Sequence, residues 1–103
     1  MRILVEFSFA ADVGNDAIRS GKIEKVFRQL GEDLKPEAMY FFPSGGDRAG
    51  LMVVNSDDAS IAAIVGERLW FGLQAKVRLT PCMNPDDLVK GLAQMPMIIK
   101  HYG

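Results

Sequence analysis

Residues 2–9 alternate strictly, with Ile3, Val5, Phe7 and Phe9 on one side of an extended chain and Arg2, Leu4, Glu6 and Ser8 on the other. That period of two predicts a strand with one apolar and one mixed face. Asp12, Gly14, Asn15 and Asp16 then supply turn and N-cap chemistry, and Ile23, Val26, Phe27, Leu30 and Leu34 recur at helical spacing. The result is an amphipathic helix for packing on a sheet, loosened in its first turns by Gly21 and stopped at Lys35-Pro36, because the residue before proline leaves the α region. Glu37 to Phe42 reads as a second strand, Pro43 to Asp47 as a hairpin loop, and Arg48 to Val54 as a third strand, apolar on both faces and so central.

Asn55-Ser56-Asp57-Asp58 forms an N-cap cluster ahead of a second helical stripe, Ile61, Ile64, Val65 and Leu69, running toward Trp70 and Phe71. Gln74 to Thr80 alternates again, with Ala75, Val77 and Leu79 inward, until Pro81 ends the strand. Asn84-Pro85-Asp86-Asp87 combines a cap, proline at the first helical position and first-turn acids, which predicts a short helix to about Gln94, broken by Pro96. The tail from Met97 to Tyr102 is apolar enough to call for docking, either back on its own sheet or across a dimer.

Strand, helix, strand, strand, helix, strand is the split β-α-β pattern. The expected fold is therefore α+β: a ferredoxin-like β-α-β-β-α-β sandwich with a four-stranded antiparallel sheet and a short C-terminal helix, in a single domain spanning residues 1–103. Its helices cover one sheet face only. The other face carries Leu4, Glu6, Lys76 and Arg78 with alternating members of Met39, Tyr40, Phe41, Met52 and Val54, too apolar a set for plain solvent. It calls for a second copy, with Glu6 meeting Lys76 or Arg78 across neighbouring strands, or for a small-molecule cavity.

Composition narrows the partners. Twelve Lys and Arg stand against 13 Asp and Glu, for a formal charge of −1, with no basic run to neutralise phosphates, so nucleic acid is not expected. The longest apolar runs fall far short of the roughly 20 residues that cross a bilayer, so no membrane is expected. Met1 leads straight into the first strand without the succession of segments that marks export, and the lone Cys82 fits a reducing compartment, so the expected location is cytoplasmic.

Segment Leu69-Trp70-Phe71, Val77, and Pro81-Cys82-Met83, with the element order and length, resemble small bacterial proteins of the dimeric α/β-barrel superfamily, nearest to uncharacterised domains in that group. The resemblance implies a homodimer in which two sheets face one another around a cavity. Relatives of that kind include cofactor-free monooxygenases, muconolactone isomerase and stress-responsive barrel proteins. No catalytic motif of theirs matches residue by residue.

Candidate chemistry is sparse. His101 is the only histidine and would suit proton transfer near neutrality, but a solvated tail histidine is the commoner situation. It has no second histidine or cysteine pair to complete a metal site, and no metal or cofactor is expected. Cys82 reads as a buried structural thiol, Ser44-Gly45-Gly46 as a hairpin turn, and the acid pairs Asp57-Asp58 and Asp86-Asp87 as helix caps. Two functional expectations result. In one, a homodimer holds a small hydrophobic metabolite at the sheet face, with Met39, Met52, Trp70, Phe71 and Arg78 in contact. In the other, the same cavity is a cofactor-independent monooxygenase- or isomerase-like enzyme with Glu6, Tyr40 or His101 as proton carriers. A purely structural or interaction role remains the third.

Overall fold

Alternation along β1 (Arg2–Phe9) is realised residue for residue: Ile3, Val5, Phe7 and Phe9 are buried, while Arg2, Leu4, Glu6 and Ser8 are half-exposed. A computed structural model describes residues 1–103. After β1 come α1 (Ala11–Arg19), α2 (Lys22–Leu34), β2 (Ala38–Ser44), β3 (Asp47–Asn55), α3 (Ile61–Leu73), β4 (Lys76–Cys82), α4 (Pro85–Leu92) and α5 (Met95–Tyr102). The sheet order is β2-β3-β1-β4, and all neighbouring strands are antiparallel. Each strand-helix-strand unit thus spans a strand of the other, an α+β arrangement that fits a ferredoxin-like fold. Five helices are present rather than two and a short third.

One face of the sheet is covered. Ile3, Val5, Phe7, Phe9, Met52 and Val54 pack against Ala17, Leu30, Val65, Leu69 and Leu73 from α1, α2 and α3. Removing such side chains from water is the main driving term for a chain this size. Register settles which β2 and β3 residues share this side: Met39 is opposite Met52, and Phe41 opposite Gly50. Met39, Phe41, Met52 and Val54 therefore belong to the helix side, and of the five alternating candidates for the mixed face only Tyr40 lies there. Its companions are Leu4, Glu6 and Ser8 of β1, Leu51 and Val53 of β3, and Lys76, Arg78 and Thr80 of β4.

Several segments depart from the sequence expectation for identifiable reasons. The supposed turn at residues 12–16 is helical, because Val13 and Ala17, four residues apart, reach the core. Gly21 does more than loosen a helix. At φ 76° it takes the left-handed conformation that separates α1 from α2, which glycine adopts without steric cost. The hairpin is tighter than expected, with β2 running through Pro43 and Ser44, and Gly45 and Gly46 at φ 59° and 85° making the turn alone. Pro81 lies inside β4 rather than ending it, which an edge strand tolerates. α3 begins three residues after the Asn55–Asp58 cluster, where Asp58 Oδ1 accepts a 2.8 Å hydrogen bond from Ser60 N–H.

The last two helices leave the body. Asn84 and Asp87 form a reciprocal capping box that starts α4, and Pro96 sits in the first turn of α5 instead of ending order. Neither helix buries a residue, and neither makes more than scattered contact with the sheet or the other helices. The tail does not fold back on its own sheet. The molecule measures 58 × 28 × 20 Å with a radius of gyration of 17.1 Å. A chain of this length packed as one compact body would have a radius of gyration near ~13 Å.

Candidate functional site

The open sheet face is apolar at its centre and polar at one end. Leu4, Leu51 and Val53 lie half-buried along β1 and β3, and Tyr40 stands 65% exposed on β2. Glu6 and Arg78 are direct cross-strand partners, with Lys76 opposite Ser8, so the expected juxtaposition is present. The Glu6 carboxylate nevertheless forms no ion pair. Glu6, Ser8, Phe42, Ser44, Lys76 and Arg78 surround a shallow recess of about 330 Å³. Its lining is largely polar, which suits water or a hydrophilic group better than a greasy ligand.

A larger concavity lies on the other side of the sheet. Where α1 and α2 meet the β2–β3 hairpin, a groove of about 810 Å³ is lined by Phe9, Ile23, Phe27, Phe41 and Pro43, with Glu24, Asp47 and Arg48 at its polar edges. This volume lies in the range of pockets that hold small organic molecules. Strand alternation puts Phe9 and Phe41 on the helix side, and α2 brings Phe27 onto them. The Phe27 and Phe41 rings meet edge to face, with centroids 4.8 Å apart and planes at 82°, and Phe7 completes the cluster at 5.3 Å from Phe27. These are the separations at which aromatic quadrupoles attract. Phe41 remains 58% exposed, so the cluster forms a wall rather than a sealed core.

Arg48 is the groove's one cation. It shares the inward-facing register of Gly50, Met52 and Val54, and sits opposite Phe9 at the end of β3. Its Nη2 donates to Asn15 Oδ1 at 3.0 Å and its Nη1 donates to the Ala11 carbonyl at 3.3 Å. The guanidinium crosses α1 over Gly14, where a Cβ would come within 2.5 Å of Nη1. Glycine in a helix costs up to about 1 kcal/mol relative to alanine, and here the missing side chain makes room for the arginine.

The expected ligand contacts do not converge. Met52 is 0% exposed beneath the helices and Met39 is packed beside it, whereas Arg78 is on the opposite face. Trp70 lies along α3 with its ring against Gly66, and Phe71 points outward, 83% exposed. The three candidate proton carriers are also apart: Glu6 lines the recess, Tyr40 is on β2 two strands away, and His101 is on α5. Cys82 is half-exposed and unpaired, opposite Arg2 on the open face. No three His, Cys, Asp or Glu side chains cluster so as to hold a metal ion, and no helix is long and apolar enough to cross a membrane.

Sequence reasoning passed over Arg48, Asn15 and Gly14. A usable signal was present, since a charge in the inward-facing register of a central strand needs a reason to be there. No protein-family model matches the chain, and no curated protein matches it.

Proposed function

We propose that the protein is a homodimeric binding module that holds a small hydrophobic molecule in the groove between its first two helices and the β2–β3 hairpin. The groove itself carries the reading: a wide, aromatic-walled concavity with few polar groups is the usual form of a small-molecule site. Two further surfaces support the homodimer. The open sheet face presents Leu4, Leu51, Val53 and Tyr40, and the α4–α5 arm presents Leu88, Leu92, Met95, Ile99 and Tyr102. Within each helix these residues share a face: Leu88 and Leu92 are four apart on α4, and Met95, Ile99 and Tyr102 are four and three apart on α5. Apposed sheet faces of two copies would cover the first surface, and exchanged arms the second.

The monooxygenase- or isomerase-like reading named Glu6, Tyr40 and His101 as proton carriers, and none of them lines the groove, whose own carboxylates are Glu24 and Asp47. Binding without turnover rests instead on the apolar, aromatic wall that makes up most of the groove. Native mass spectrometry of the purified protein tests it: a dimer carrying extra mass of a small organic molecule is expected. A monomer at micromolar concentration would refute the homodimer. Failure of any apolar probe to perturb the amide signals of Phe9, Phe27 and Phe41 in a nuclear magnetic resonance titration would refute the groove.

A further inference from the structure

We propose that the groove selects a small aromatic or aliphatic monocarboxylate, whose carboxylate is received by Arg48; this rests on the reading of the groove as a ligand site. All ion pairs of the chain lie elsewhere, at Met1–Asp57, Arg2–Glu37, Arg19–Asp16 and Arg68–Asp33. Arg48 is held only by neutral acceptors, the Ala11 carbonyl and the Asn15 side-chain oxygen. A guanidinium has five N–H donors, so those two bonds fix its position and leave donors for a carboxylate in the fork geometry that arginine favours.

The anchoring is specific. Asn15 and Ala11 belong to α1, whereas Arg48 comes from β3, and Gly14 leaves the space between them. A charge fixed in advance loses little freedom when a ligand arrives. Phe9 is its cross-strand partner, and Phe27 and Phe41 line the same groove, so the guanidinium offers a place for an anion and the aromatic wall a place for an apolar ring or chain. Glu24 and Asp47 also line the groove. With two carboxylates against one guanidinium, the lining opposes any anion that is not paired with Arg48, which is why the class is a monocarboxylate rather than a diacid.

Two probes of the same shape separate the possibilities: naphthylacetate, an anion, and naphthylethanol, its neutral counterpart. Both are titrated into the protein by calorimetry, with nuclear magnetic resonance to locate them. The acid is expected to bind roughly ten-fold more tightly, the scale of one charge-assisted contact at an open site. Arg48→Gln should abolish that preference while leaving the alcohol's affinity within about two-fold. In the unmodified protein, raising salt to about 1 M should erode the acid's advantage and leave the alcohol unaffected, a readout that does not depend on the variant folding. Equal affinity for both probes, a preference that survives Arg48→Gln, or one indifferent to salt would overturn the role of Arg48 and leave the groove as an apolar site. If neither probe bound at the groove, the site reading would fall and the inference with it.

Discussion

Gly50 illustrates how tightly one position can be fixed. A Cβ there would lie 2.5 Å from Phe7 Cζ and 2.6 Å from the Tyr40 backbone oxygen, and backbone cannot step aside. Gly50→Ala is expected to cost about 3 kcal/mol through overpacking, read as a lowered urea midpoint. Asp58 gives a pH-dependent counterpart. The backbone and hydroxyl of Ser60 hold its carboxyl below the usual aspartate range, and Gln29 with Arg68 does the same for Asp33. A depressed folded-state value means that each carboxylate stabilises the fold above its unfolded pKa, near ~4, and loses that contribution as pH falls through the lower folded value. Asp58→Ala should therefore lower the thermal midpoint at neutral pH, and the gap to the parent should close in strong acid. A gap that persisted there would assign the effect to something other than the ionised cap.

Among the elements, those whose apolar residues fall in one register were the most legible in the sequence. β1 came out with its faces as expected, and the core stripes of α2 and α3 were recognisable from Ile23, Leu30, Val65 and Leu69. Hidden elements have a different cause. α1 contains Gly14, Asn15 and Asp16, residues that favour turns in isolation, and becomes a helix because packing of Val13 and Ala17 outweighs local preference. The groove was equally hidden, since it depends on where α1 and the hairpin meet in space. Leu69, fully buried at the centre of α3, should cost about 3 kcal/mol when replaced by alanine, and chemical denaturation should show it. α4 should behave otherwise. Asn84→Ala removes its capping box but touches no core residue, so amide exchange should quicken across residues 85–92 while the global midpoint stays put.

On the scale of the whole molecule, the arm is the part without a role inside a single copy. Paired substitution Leu92→Glu and Ile99→Glu changes residues exposed in a single copy, so it should leave the circular dichroism spectrum nearly unchanged, and any fall in thermal midpoint should track loss of the subunit contact. If the arms are exchanged, the same variant should sediment as a monomer. A variant that remained dimeric would place the subunit contact on the sheet face alone. The sequence signalled that the tail was too apolar for solvent, but the direction it takes follows from the α4 cap and the Ala93-Gln94 junction rather than from any hydrophobic pattern.

Both outer strands of the sheet carry a proline, Pro43 in β2 and Pro81 in β4. Proline lacks the N–H that a further strand would need, so neither border invites edge-to-edge growth into ribbons. The proposed association is left to the open face and the arm, and a two-fold pair would use up both of these surfaces on each copy. The assembly should then be finite: light scattering should show a plateau in mass as concentration rises, with no drift toward filaments.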